Sequence, residues 1–237
     1  MDGTRIDIRT PDGVAPAYVY GPESAPGVLV IIDGLGMRPA MQEIAARIAS
    51  AGYHVLLPDA FYRLGAYESP DPRTLFADPA VRTAWWQRLH GTTSEMLVRD
   101  VGAYLDHFGA ARVGVTGYCM GGRIALVAAA TYPERIAAAA AYHPGGLVTD
   151  APDSPHLQFG RIRASVYVGG ASEDANFTDA QRQTVSDALA AAGVEHTVEL
   201  YPARHGWVPT DTPVHDAAAA ARHWETLFAL LARTLRA

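Results

Sequence analysis

The chain contains a single cysteine, Cys119, in the run "VGVTGYCMGGR", with Gly117 two residues before it and Gly121 two residues after it. A side chain raised on a sharp turn from strand to helix needs small residues at both of those positions, because the backbone doubles back on itself there. The same turn aims N–H groups of the following helix at the side chain, which favours a thiolate and any oxyanion that develops beside it. These residue types describe a thiol nucleophile. The alternative is a small buried hydrophobe, the common fate of a lone cysteine.

A thiol nucleophile needs a base, and the chain has nine histidines. His54 and His196 fall at strand positions, His107 and His223 lie in helical patterns, and His90, His156 and His215 have no motif around them. His205 differs, standing in "YPARHGW" between the last strand and the last helix, where its ring can reach back over the sheet edge. The third partner should be a carboxylate that fixes the tautomer of the histidine and stabilises its charged form. The loop "ASEDANFT" offers Glu173 and Asp174, and we take Asp174; its alternative role is capping the helix ahead at "FTDAQRQ". Nucleophile, acid and histidine then follow one another in the chain order of the α/β-hydrolase fold.

Elements that can hold such a group are legible along the chain. Three short β-prone runs, "RIDIR", "APAYVY" and "GVLVII", are separated by the turn sequences "TPDG" and "GPESAP". Met41, Ile44, Ile48 and Ala51 have helical spacing up to Gly52, and the strand "YHVLLP" follows. Residues 61 to 91 are rich in proline, arginine and aromatics without a strong period, which predicts irregular structure with short helices. Residues 94 to 108 restore the helical period through Leu97, Val101, Tyr104, Leu105 and Phe108. Strand "RVGVT", helix "GGRIALVAAATY", strand "RIAAAAAYH", strand "ASVYVGG", helix "DAQRQTVSDALAAAG", strand "HTVELYP" and a last helix bearing Trp224, Leu227, Phe228, Leu231 and Leu235 then alternate. Such alternation predicts one α/β domain over residues 1–237, with a mostly parallel central sheet and helices on both faces. In such sheets, sites form where strands end and their loops meet.

Composition narrows the function. The net charge is −6 with no long basic block, so nothing points to a nucleic-acid partner. All 19 basic residues are arginine, which removes Schiff-base chemistry and lysine-dependent phosphate loops. The N-terminus "MDGTRIDIRTPDG" has no signal-peptide pattern and no apolar run approaches a membrane span, so a cytoplasmic location without membrane partners is expected. One cysteine forms no internal disulfide, in keeping with a reducing compartment.

With these motifs in place, the sequence resembles the dienelactone hydrolase family, a branch of the α/β-hydrolases that uses cysteine where most relatives use serine. The resemblance runs from "VLVIIDGLG" to the final helix, strongest in "GYCMGG" and supported by "PDAFYR", "VYVGGASED" and "ARHGW". It implies an α/β-hydrolase fold, a triad of Cys119, Asp174 and His205, and oxyanion donors at the backbone N–H groups of Met120 and Gly34. In well-known members a glutamate after the third strand modulates the resting thiol. Here that position is Asp33, one methylene shorter, with local backbone bonding as its alternative role. Those members also bind a substrate carboxylate with two arginines, one shortly after the histidine, where this chain has Trp207, Val208 and Pro209. Arg63, Arg82 and Arg204 remain candidate anion binders, against the alternative of solvated surface charges. Tyr142 and His143 match aromatic positions beside the family's pocket, and Trp85 or Trp86 matches its lid.

The implied activity is hydrolysis of a small-molecule ester or lactone through a thioester acyl-enzyme. That chemistry requires no metal or organic cofactor. Two rivals keep the same scaffold: a non-catalytic binding module, and a thiol that senses oxidants, although no second cysteine is present to resolve a sulfenic acid.

Overall fold

The computed structural model of the protein describes residues 2–236. A hairpin of β1 (Thr4–Thr10) and β2 (Gly13–Tyr20) forms one edge of the sheet. Six mutually parallel strands follow in the chain: β3 (Gly27–Ile31), β4 (His54–Pro58), β5 (Val113–Tyr118), β6 (Ile136–Tyr142), β7 (Ser165–Glu173) and β8 (His196–Arg204). The spatial order is β1-β2-β4-β3-β5-β6-β7-β8, with β2 antiparallel to β4. The helices are α1 (Pro39–Ser50), α2 (Pro72–Ala77), α3 (Pro79–Leu89), α4 (Ser94–Asp106), α5 (Met120–Thr131), α6 (Asp179–Ala191) and α7 (Ala217–Leu235), and they cover both faces. No helix among the described residues is long and apolar enough to cross a membrane.

The central strands are continuously buried, as parallel strands covered on both faces must be. In β6 the residues between Ile136 and Tyr142 are all alanine, and small side chains there let both α5 and α7 contact the strand. Alanine has no intrinsic preference for strands, so it is burial between two helical layers that decides the conformation.

The segment 61 to 91 is more regular than its composition predicts. It holds a short 3₁₀ turn at Tyr62–Leu64 and then α2 and α3. Local caps build these helices in place of an apolar stripe: Asp71 accepts from the Arg73 N–H at 2.7 Å and Asp78 from the Ala80 N–H at 2.8 Å, each just before a proline that opens the helix. Their main anchor is Trp85, which packs with Leu35 and Leu75 and donates its indole N–H to the Gly34 carbonyl at 2.8 Å.

Under the sheet, α7 contributes the fully buried His223, whose Nε2 lies 3.1 Å from the Tyr118 hydroxyl and whose ring packs edge-on against Tyr142. Burial, reinforced by the Arg47 charge, pulls the His223 pKa down to about 3. An unfolded histidine titrates near ~6.5, so between these values the unfolded chain binds a proton that the native state refuses. Stability from this site is therefore present above pH ~6.5 and declines as the pH falls toward 3. Urea unfolding of parent and His223→Gln between pH 7 and 4 should show a slope shallower by about one proton in the variant; parallel slopes would assign the acid sensitivity elsewhere.

Candidate active site

Cys119 sits between β5 and α5 with φ 54° and ψ −117°, a left-handed conformation that a side chain rarely adopts. The surrounding backbone leaves little alternative. A Cβ on Gly117 would fall into the Gly121 carbonyl group, and a Cβ on Gly121 would fall onto the Ile31 and Ile32 carbonyl oxygens. The Cys119 N–H points at the end of the neighbouring strand, donating to the Tyr142 carbonyl at 3.0 Å and to His143 Nδ1 at 3.1 Å. Because Nδ1 accepts, His143 carries its proton on Nε2. Burial is the main force holding this imidazole neutral, its pKa lying well below the ordinary histidine value, with the nearby His205 and His223 adding to the effect.

His205 follows β8 directly, and Asp174 follows β7 directly, so neighbouring parallel strands deliver both to the same edge. His205 Nδ1 lies 2.6 Å from Asp174 Oδ2, while Asp174 Oδ1 accepts from the Asn176 N–H at 2.8 Å. The Asp174 side chain is wholly buried. Burial opposes charge on His205, but the hydrogen bond to Asp174 and the nearby sulfur of Cys119 outweigh it and push the pKa up to about 10. Cys119 and His205 line one cleft, and the buried Asp174 is hydrogen-bonded to His205 behind it.

The third wall comes from the loop after β3. Among the described residues the amide N–H groups of Gly34 and Met120 have no hydrogen-bond acceptor, and both residues line the cleft that contains Cys119. The Trp86 ring lies against Gly34, at 3.0 Å from where a Cβ would stand. Asp33 also lines the cleft, and its carboxylate receives Arg38 Nη1 at 2.6 Å and Nη2 at 2.9 Å, and the Leu35 N–H at 2.9 Å. Burial works against charge on Arg38, yet the paired carboxylates of Asp33 and Asp211 raise its pKa and keep it protonated.

The cleft encloses about 570 Å³. Its lining includes the apolar Leu35, Phe76 and Trp86, and also Arg123 beside Gly146 and Asn176 beside Gly145. Several residues expected at the substrate lie elsewhere. Arg63 is held by Asp12 and by the fully buried Asp100, on the hairpin side of the sheet. Arg204 is exposed beside Glu173, and Arg82 lies on α3 outside the cleft lining. Tyr142, the last residue of β6, sends its hydroxyl to Thr226 of α7 at 3.1 Å under the sheet, and His143, just past the strand, alone of that pair reaches the cleft. Of the two candidate lid tryptophans, Trp86 faces the cleft and Trp85 anchors its helix.

Arg123 was not singled out by sequence reasoning, although it stands four residues after Cys119, in the first turn of α5. Its guanidinium lies beside Gly146, its Nε is buried without a partner, and among the described residues it makes no ion pair. Burial lowers its pKa, with the sulfur of Cys119 the one charge that opposes this.

Comparison with known proteins gives a consistent pattern. Residues 15–235 match the model of the dienelactone hydrolase family. A Salmonella typhi protein provisionally named carboxymethylenebutenolidase is 27% identical, the match covering 93% of this chain and 88% of the relative. The Rhodococcus opacus carboxymethylenebutenolidase is 27% identical over a shorter match, 58% of this chain and 53% of its own. Among solved structures, a Klebsiella pneumoniae protein provisionally described as a dienelactone hydrolase superposes with a TM-score of 0.80 at 22% identity, covering 98% of both chains. A dienelactone hydrolase-like promiscuous phosphotriesterase, P91, from metagenomic libraries superposes at 0.74 and 23% identity, again over 98% of both.

The turn itself is open to a direct test. Gly121→Ala drives a methyl group into two backbone carbonyls and should cost at least ~3 kcal/mol of stability. At Gly122 the nearest atom to a new Cβ is 3.2 Å away, so Gly122→Ala should stay within about 1 kcal/mol of parent. Chemical denaturation of the two variants checks the contrast, and equal losses would show that backbone crowding does not set the turn.

Proposed function

The chain belongs to the dienelactone hydrolase family, and from that premise we propose that this hydrolase cleaves a carboxylic ester or lactone through a thioester on Cys119. The observation that carries this reading is the 2.6 Å contact of His205 with the buried Asp174, in the cleft that also holds Cys119 and two unpaired amide donors.

In this mechanism the sulfur of Cys119 attacks the carbonyl carbon, and the electron pair of the C=O bond moves to oxygen. The Met120 and Gly34 N–H groups stabilise that oxyanion. Collapse breaks the bond to the leaving oxygen, which takes a proton from His205, and leaves a thioester. Water then attacks the thioester carbonyl, giving its proton to His205, and collapse returns the sulfur and releases the acid. Asp174 holds Nδ1 throughout, so that Nε2 faces the reaction. A sulfur nucleophile expels enolates and other good leaving groups more readily than amines, which favours enol-lactones and activated esters over amides. Asp33 acts as an anchor for Arg38 and exchanges no proton.

Arg123 supplies a cation in the lining of the cleft. A guanidinium removed from water without a carboxylate partner is costly, and a substrate carboxylate offsets that cost when it binds. Asn176, beside it, adds a neutral amide donor.

Rapid-quench intact-mass analysis with activated esters and enol-lactones tests the mechanism. The parent should form a transient acyl adduct, His205→Ala should retain it, and Cys119→Ala should form none; equal turnover by parent and Cys119→Ala would sink the scheme, and peroxide oxidation without hydrolysis would favour the redox rival. For Arg123, paired activated esters with a neutral acyl chain or one ending in carboxylate should separate the two roles. Arg123→Leu should lower kcat/KM for the anionic ester by about 10- to 100-fold, the loss expected for a charge-assisted contact, and leave the neutral ester within about threefold.

A further inference from the structure

The two loops that flank the reaction centre have no ladder to align them. Gly34 follows β3 and His205 follows β8, and β5, β6 and β7 lie between these strands. Four strand spacings of ~4.8 Å separate their backbones, so small errors in twist would carry one loop out of register with the other. Side chains must close that gap. Two polar contacts do so: an exposed one, in which the Thr210 hydroxyl donates to Glu43 at 3.0 Å, and a buried one through Arg38.

Arg38 stands immediately before α1, at the end of the loop that carries Gly34, and only 5% of it is exposed. On one side its Nη1 and Nη2 hold Asp33, the residue before Gly34, and Nη1 also meets the Gly36 carbonyl at 3.3 Å. On the other side its Nε donates to Asp211 Oδ2 at 2.7 Å and its Nη2 to Asp211 Oδ1 at 3.3 Å. Asp211 belongs to the loop that begins at His205, and that loop is tied internally where the Thr212 hydroxyl donates to the Gly206 carbonyl at 2.8 Å. The planar fork of a guanidinium can serve two carboxylates at once, which the single ammonium of lysine cannot do with the same directionality.

We infer that Arg38 is a positioning residue: by bridging Asp33 and Asp211 it sets the distance between the Gly34 oxyanion donor and the His205 loop. The inference rests on the reading of Gly34 and His205 given above, and extends it to residues that touch no substrate. It also assigns Asp33 a role opposite in kind to modulation of the thiol, since the carboxylate is engaged on both oxygens by the bridge.

The test uses Asp211→Ala, which removes the partly exposed end of the bridge, together with Arg38→Met. A donor displaced by about 1 Å costs on the order of 100-fold in rate, so acylation by an activated ester should fall between about 10- and 100-fold in Asp211→Ala, with KM within about threefold. Alkylation of Cys119 by iodoacetamide, which develops no oxyanion, should stay within about threefold of parent. Amide hydrogen exchange should quicken together in residues 34 to 38 and 205 to 212. Parallel loss of acylation and alkylation would overturn the inference, as would exchange that changes in one segment only or in neither. The exchange measurement keeps the two readings separable: if the parent acylates no ester, the proposed function falls, while coupled loosening still supports the bridge and unchanged exchange still overturns it. Should Arg38→Met fail to fold, Asp211→Ala decides both readouts.

Discussion

The left-handed backbone at Cys119 is the constraint on which the rest of the site depends. It is held by contact between main chains: Gly117 against Gly121, and Gly121 against the carbonyls of Ile31 and Ile32 at the end of β3. Backbone groups cannot be repacked by choosing other rotamers, so the turn is fixed more firmly than side-chain packing would fix it. The contact with β3 has a second effect. It places the start of α5 beside the loop that carries Gly34, so the unpaired amides of Gly34 and Met120 line the same cleft as Cys119. A turn that is local in sequence therefore determines the relation of Gly34 and Met120, which are 86 residues apart in the chain.

Charge in the cleft is arranged by the same edge. Asp174 is wholly buried but bonded on both oxygens, and Asp33 is bonded on both oxygens as well. Each carboxylate removed from water has found donors, so neither is left with a buried oxygen unpartnered. The cations are treated unequally. Arg38 lies between two carboxylates, whereas Arg123 faces the cleft without one. A fold that satisfies one buried guanidinium fully and leaves another open has separated a structural charge from one available to a ligand.

Much of this was legible in the sequence because it depends on local spacing. The glycines around Cys119, the strand before it and the helix after it are contiguous, and the topology of parallel strands then predicts that loops after β7 and β8 meet them. Residues 72 to 89 were less legible because α2 and α3 are held by Asp71 and Asp78 caps and by Trp85, with no apolar period to detect. The arginines were the least legible. Arg63, Arg82, Arg204, Arg38 and Arg123 are alike in type, and their roles differ only by which carboxylate lies nearby in space, such as Asp100 for Arg63 and Asp211 for Arg38. Asp211 is 173 residues from Arg38, a separation that no motif spans.

The proposed chemistry also gives the raised pKa of His205 a use. Its causes include the Asp174 carboxylate and the sulfur of Cys119, and only the first is permanent. Before acylation both favour a protonated imidazole, the form that can donate to a leaving oxygen. Once sulfur is bound in a thioester it carries no charge, so its contribution disappears while burial and Asp174 remain. The imidazole then holds its proton less tightly and is better suited to accept one from water. In the proposed chemistry the covalent state of Cys119 would change the same side chain from acid to base, with Asp174 keeping the ring in place and the inferred Arg38 bridge holding the opposing loop at the distance both steps need.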